Sequence, residues 1–432
     1  MRILFLTHYY PPEGNAPANR VHALCRRWAR DGHDVTVVTC APNVPSGVVY
    51  DGYRNRIRQR ETIDGVRVVR VWTYLAPNEG TVRRIANYLS FMASGALAAA
   101  AEARPDVVVA TSPQFFCGWA GAIVSRIRRV PFALEIRDLW PESIVTVGAM
   151  RKSALVRLLE RLERRLYASA SEIVTVGEGY RDRLLERGVD PTRLSVIPNG
   201  VDREVFAPRP PDRALRERLG FGDRFACAYV GTVGMAAGLD VVLRAGRLLA
   251  ERGRQDVVLA VVGDGAERRA LAERAAREGI PNVVFTGRLP ADVMPALLAS
   301  VDACLVHLRA AELFTTVLPS KIFEAAAMSR PIVLGVRGHA ERLVRAAGCG
   351  LCIAPEDASA LADAVVRLAD DPALAAELGE AGRQYFTARY DRDALARRYV
   401  EMLARLARRP STVAPAPEGP AARGTIAARR AS

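Results

Sequence analysis

Short, continuous apolar runs separated by amphipathic stretches recur along this chain, and that rhythm limits its fold more than any other feature. Arg2–Thr7, Val35–Thr39, Val66–Trp72, Val107–Ala110, Phe132–Ile136 and Ile173–Val176 read as strands. Between them lie helical patterns at Ala18–Asp31, which Gly32 ends, at Thr81–Ala103, near Gly118–Arg128 and at Ala154–Ala168. In the last of these, Leu155, Leu158, Leu159, Leu162 and Leu166 share one face. Wholly apolar strands that alternate with helices predict a parallel sheet covered on both faces. The pattern pauses at Val196-Ile197-Pro198-Asn199-Gly200-Val201-Asp202, where Asn-Gly signals a turn and Pro-rich sequence follows. It restarts with strands at Ala226–Val230, Val257–Val262, Asn282–Thr286, Ala303–His307 and Ile332–Gly335. Helices are predicted over Leu239–Glu251, Glu267–Glu278, Val293–Ala299, Ala340–Ala347, Ala358–Ala369, Ala373–Thr387 and Asp393–Arg408.

The fold class that follows is α/β, with two tandem doubly wound, Rossmann-like domains facing one cleft. A chain of 432 residues is long enough for two such cores. The expected division is 1–198, 199–387, a helix over 388–409 that packs back on the first domain, and a disordered tail over 410–432. Ligands of such sheets bind outside the C-terminal strand ends. That rule points to the loops after Thr7, Ala110, Ile136, Val230, Val262, Thr286, His307 and Gly335.

A net charge of +14, mostly from Arg, favours a polyanionic partner such as a phosphate-bearing substrate or an anionic membrane. No nucleic-acid recognition motif accompanies it, so nucleic acid is not an expected partner. The seven Cys are scattered without a framework, which points to a reducing compartment and hence the cytoplasm. Cys349-Gly350-Leu351-Cys352 has redox-like spacing but no second pair, and reads as ordinary core. The five His are isolated, with no i,i+4 partner, so no metal site is expected. No apolar run is long enough to span a membrane.

Several loops could carry chemistry. In Leu318-Pro319-Ser320-Lys321-Ile322-Phe323-Glu324, Pro319 and Ser320 suit a helix start, with Ser320 as the cap. Lys321 and Glu324 then share a face. This arrangement suits a polyanion with hydroxyls, or it is a capped surface helix with a local ion pair. Gly14 follows the first strand within Pro11-Pro12-Glu13-Gly14-Asn15 and allows close approach of a phosphate or sugar. Gly231 and Gly234, in Gly231-Thr232-Val233-Gly234, and the Gly263-Asp264-Gly265 turn offer backbone donors to a diphosphate. Arg288 is a counter-charge from the next loop. Arg137-Asp138 ends a buried strand ahead of Trp140-Pro141, which makes a cleft-facing base or orienting group of Asp138, or else a loop-fixing Arg–Asp pair.

Taken in order, five of these stretches resemble the retaining GT-B glycosyltransferases of group 1 (family 4), over about residues 1–405. They are Tyr9-Tyr10-Pro11-Pro12-Glu13, Arg137-Asp138-Leu139-Trp140-Pro141-Glu142-Ser143, Ile197-Pro198-Asn199-Gly200-Val201-Asp202, Val262-Gly263-Asp264-Gly265 and Leu318–Glu324. The subgroup most resembled assembles colanic acid and O-antigen amino sugars. The resemblance implies GT-B architecture and a nucleotide-sugar donor, UDP-linked, held mainly by the second domain. Glu324 would hold the donor ribose. Ser320 and Lys321 would meet the diphosphate, and Gly14 the sugar or phosphate. Asp138 corresponds to the acidic member of the family's strand-end His-Asp pair. Arg137, Asp138, Lys321 and Glu324 are thus the implied catalytic set, with no metal and no cofactor.

Three departures stand out. Thr316 occupies the place of the family's first glutamate, which implies a deoxy or amino sugar. Arg137 replaces the usual His. The Arg and Lys that follow the family's Gly-rich loop are missing from Met235-Ala236-Ala237-Gly238-Leu239. The acceptor implied is a polyprenyl-diphosphate-linked or other saccharide in cell-surface polysaccharide synthesis. The basic, apolar segments Thr81–Ala103 and Arg151–Ala168 fit a peripheral site on the inner face of the membrane, or they are domain-covering helices. A nucleotide-sugar 2-epimerase on the same scaffold and a sugar-binding protein without turnover are the alternatives.

Overall fold

A computed structural model describes residues 1–44, 46–77, 81–112, 114–146 and 153–408; the expected tail over 410–432 lies outside these. The first domain holds β1 (Arg2–Leu6), β2 (Asp34–Cys40), β3 (Arg58–Ile63), β4 (Val66–Val71), β5 (Val107–Thr111), β6 (Phe132–Ile136), β7 (Glu172–Thr175) and β8 (Leu194–Val196). They form an eight-stranded sheet in the order β3-β4-β2-β1-β5-β6-β7-β8. The second domain holds β9 (Phe225–Val230), β10 (Val257–Val262), β11 (Val283–Gly287), β12 (Ala303–His307), β13 (Ile332–Gly335) and β14 (Gly350–Cys352). Their order, β11-β10-β9-β12-β13-β14, is that of a doubly wound sheet, with the reversal between β9 and β12. Two parallel-sheet α/β domains in this arrangement are the two-domain GT-B fold.

Central strands are buried along their whole length because helices cover both faces. Every residue of β5, β6, β10, β12 and β13 is sealed from solvent. Cores on the two faces of each sheet account for the continuous apolar runs.

Strand β3 departs from the expected all-parallel sheet: it pairs antiparallel with β4 at the edge. Its residues alternate between exposed and half-buried, and they are charged, so no apolar run announces it. The local signal is the Asp64-Gly65 turn, with φ of 48° and 79°, which closes a tight hairpin.

The chain crosses between domains twice, side by side. Val201 N–H donates to Tyr390 O (2.9 Å), and Arg392 N–H donates to Val201 O (3.0 Å). Asn-Gly had signalled a turn, but Gly200 lies in extended chain without a positive φ. The reason for a glycine is room: a Cβ there would lie 2.8 Å from both Leu395 Cδ1 and Tyr390 O. Arg20 pins the first crossing through Ile197 O (2.8 Å), Pro198 O (2.9 Å) and Asn199 Oδ1 (3.2 Å). Asp202 accepts from Arg26 (2.7 Å) and Arg27 (2.8 Å). After the second crossing, helix Arg392–Arg408 packs on helix Ala16–Arg30 of the first domain, with Trp28 Nε1 donating to Ala396 O (2.9 Å).

Candidate active site

The C-terminal ends of β9, β10 and β12 carry the second domain's half of the cleft. Gly231 follows β9 and Gly263 follows β10, and these two loops touch. A Cβ on Gly263 would lie 1.9 Å from Gly231 O, and Gly263 has a φ of 141°. Only glycine permits that contact. The two N–H groups expected as diphosphate donors are themselves spent, Gly231 N–H donating to Val262 O (2.9 Å) and Gly263 N–H to Gly287 O (2.9 Å). Lys321 reaches this place from the other side. Its Nζ lies 3.6 Å from the Tyr229 ring centroid and would be 2.9 Å from a Cβ on Gly231. Tyr229 is held in turn by its hydroxyl, which donates to Thr232 O (2.8 Å). Gly234, further along the loop, has only the Thr232 methyl near it.

The helix that carries Lys321 runs from Lys321 to Ala327. Its apolar side, Ile322, Phe323, Ala325 and Ala326, is buried, which leaves Lys321 and Glu324 turned to the cleft side. Ser320 precedes it with φ −62° and ψ −26°, already helical, and makes no capping hydrogen bond. The expected cap is therefore absent and the Ser320 hydroxyl is uncommitted by that role. Lys321 and Glu324 form no ion pair among the described residues, against the surface-pair alternative. Burial raises the Glu324 carboxyl above its usual range, opposed by Arg392 and Lys321. Arg392 is itself tied to the domain crossing, its Nε donating to Gly200 O (3.0 Å).

The first domain faces this set. Gly14 is exposed in the β1 loop, and a Cβ on it would lie 3.5 Å from Arg288 Nη2, so these two expected residues meet across the cleft. The loop is shaped by Glu13, which sequence reasoning missed as a structural device. Its buried carboxylate accepts Asn43 N–H (3.0 Å) and Val44 N–H (3.1 Å). The β7 end also touches the second domain. A Cβ on Gly179 would lie 2.3 Å from Thr316 O, while the Thr316 hydroxyl donates to Leu313 O (2.7 Å).

Arg137 and Asp138 separate. Arg137 stays with Glu135, Arg20 and Tyr180 at the end of β6. Asp138 is packed among side chains of the first domain. It lines a cavity of about 20 Å³ with Ser112, Phe115, Trp140, Glu163 and Tyr167, too small for a sugar. Burial pushes the Asp138 carboxyl up to about 6 and Glu163 to about 7. Sequence reasoning missed two further residues. Tyr229 sits inside an apolar strand and looks like core. His307 is buried at the end of β12, its Nδ1 bonded to Ala237 O (2.7 Å) and its Nε2 accepting Glu356 N–H (2.8 Å). Among the described residues, no cluster of His, Cys, Asp and Glu is placed to hold a metal ion.

The two halves match two domain families: residues 15–200 a glycosyl transferase 4-like domain, and residues 224–371 the glycosyl transferases group 1. Escherichia coli WcaI, named as a glycosyl transferase of colanic acid biosynthesis, is 26% identical over 376 residues, spanning 84% of this chain and 90% of that protein. A GDP-mannose-dependent phosphatidylinositol monomannoside mannosyltransferase of Mycolicibacterium smegmatis is 34% identical over 228 residues, 51% of this chain and 59% of that protein. Anabaena HepE, solved with UDP and glucose, superposes with a TM-score of 0.69 at 21% identity over 94% of this chain and 99% of its own, a likeness of fold.

Proposed function

Since the chain belongs to the group 1 glycosyltransferases, with a family domain on each side of one cleft, we propose that it transfers a sugar from a nucleotide-diphosphate donor, UDP-linked, to a lipid-linked or saccharide acceptor with retention. The setting is cell-surface polysaccharide synthesis, as for WcaI. The observation that carries this reading is Lys321 poised over the touching Gly231 and Gly263 loops. A cation beside glycine backbone that carries no side chain lets a diphosphate approach closely. Developing charge on the leaving nucleotide is then met by Lys321, with Arg288 reaching from the outer loop. Glu324 accepts from the ribose hydroxyls. Gly14 leaves space for the sugar, and Thr316 faces a deoxy or amino position on it. Asp138 supports the loop that presents Arg137.

The acceptor side is the first domain. Helices Thr81–Ala100, Phe115–Arg128 and Ala154–Ser169 pack side by side. Their outer faces expose Leu89, Leu97, Ile127, Leu155 and Leu158 among Arg83, Arg126, Arg157 and Arg161. No helix among the described residues is long and apolar enough to cross a membrane. A basic, apolar face of this kind suits peripheral contact with anionic lipid and brings a lipid-linked acceptor to the cleft.

The test is turnover. Purified protein is incubated with UDP- and GDP-linked sugars and a polyprenyl-diphosphate saccharide acceptor, and products are resolved by mass and by anomeric configuration. Acceptor-dependent elongation with retained configuration supports the reading. Formation of an epimeric nucleotide sugar without acceptor replaces it with the isomerase. Flotation with anionic liposomes tests the membrane face separately.

A further inference from the structure

Among the described residues, none makes a hydrogen bond or a close ion pair with the Arg137 guanidinium. Its Nε and Nη1 are sealed from solvent and make no hydrogen bond. The nearest carboxylate cannot answer it. Glu135 accepts from Arg20 at Oε2, with Nη2 at 3.0 Å and Nε at 3.2 Å, and from the Thr111 hydroxyl at Oε1 (2.9 Å). Two guanidinium groups therefore share one carboxylate, and Arg20 holds it. Burial pushes Arg137 down to about 10, opposed by Glu135 and reinforced by Arg20, which still leaves it charged at neutral pH. An unpaired buried charge is expensive. Keeping one that a shared Glu135 offsets only in part makes sense when a ligand completes the compensation.

Its position says which part of a ligand. The Arg137 backbone N–H donates to Ser112 Oγ (2.7 Å), which sets the residue at the C-terminal ends of β5 and β6. Beside it lies Tyr180, whose chain neighbour Gly179 abuts the Thr316 backbone. The diphosphate cradle at Lys321 belongs to the other domain. A hydroxyl would leave the charge uncompensated, whereas a carboxylate neutralises it.

We propose that Arg137 receives a carboxylate on the transferred sugar, so that the donor is a nucleotide-linked uronic acid. This rests on the glycosyltransferase reading above and narrows its substrate class. An acidic sugar that is also amino-substituted or deoxygenated opposite Thr316 satisfies both walls of the site. Arg137 is then a specificity-determining residue that contacts the substrate.

Calorimetric titration of the full-length protein tests it with matched pairs: UDP-glucose against UDP-glucuronic acid, and GDP-mannose against GDP-mannuronic acid, with UDP and GDP as references. The uronic member of one pair is expected to bind about tenfold tighter or more than its neutral partner. Arg137→Gln should erase that preference and leave bare-nucleotide affinity unchanged, which also shows that the variant is folded. Arg137→Lys should keep part of it. Equal affinity within both pairs overturns the proposal, as does a preference that survives Arg137→Gln. So does a variant that loses bare nucleotide as strongly as uronate, since Arg137 would then serve the diphosphate. Failure of the wild type to bind either bare nucleotide would remove the donor reading itself, and this proposal with it.

Discussion

Lys321 Nζ stands 3.6 Å from the centre of the Tyr229 ring, with Gly231 beside it. The ring face holds the ammonium where an aliphatic neighbour would let it swing away. Lys321→Ala is expected to lower transfer by about a hundredfold or more, because it removes the cation that faces the leaving diphosphate. Tyr229→Phe keeps the ring and should weaken nucleotide binding little. Tyr229→Leu should weaken it by about 1 kcal/mol. Titration with UDP on the three variants checks the order, and a Tyr229→Leu protein with wild-type affinity would show that the ring does not position Lys321.

Glu324 is assigned to the ribose. Glu324→Gln keeps the shape of the side chain and loses the stronger, charged acceptor. The wild type should prefer UDP over its 2′,3′-dideoxy analogue, and Glu324→Gln should lose most of that preference. Because the preference is a difference between two ligands on each protein, general weakening of the site cancels. An undiminished preference would place the ribose elsewhere.

Gly200 sits where the two crossings touch, with Leu395 and Tyr390 inside the space a Cβ would take. Gly200→Ala should destabilise the fold by about 1–3 kcal/mol through overpacking at the crossing. Urea unfolding monitored by circular dichroism measures it. A variant as stable as the wild type would mean that the crossing yields at no cost.

Glu163 is on the buried face of helix Ala154–Ser169, accepting from Tyr167 and paired with Arg187 at 3.1 Å. Burial raises its carboxyl to about 7, only partly offset by Arg187 and Tyr167. The folded state therefore holds a proton that the unfolded chain, near 4.5, releases earlier. Its stabilising contribution is complete below the unfolded value and is lost as pH rises through about 7. Glu163→Gln should flatten that part of the curve of melting temperature against pH. An unchanged slope between the two values would assign the titration to another group.

The fold was legible because burial on both sheet faces writes itself as continuous apolar runs. Strands β6, β10, β12 and β13 fall on the residues expected for them. Strand β3 was not legible, because a charged edge strand has no buried face to mark it. Gly14, Gly231, Arg288, Lys321 and Glu324 were also named from loop position and residue chemistry, and the cleft brings them near one another in the pairs described. Asp138 went the other way. Neighbouring residues at a strand end point in opposite directions, so the local sequence could not say that Asp138 would line a small cavity beside Glu163 while Arg137 stays with Glu135 and Arg20.

By itself, then, the sequence determined two doubly wound domains, their covering helices and the set of loops at the strand ends, since all of these follow from local periodicity and turn chemistry. Tertiary structure alone decided how those residues are partnered. Lys321 meets the Tyr229 ring instead of Glu324, Gly200 makes room instead of a turn, and Glu135 is spent on Arg20 so that Arg137 is left unpaired. Each outcome depends on which distant side chain arrives first at a charge or a space, and contacts across a hundred residues leave no trace in a local pattern.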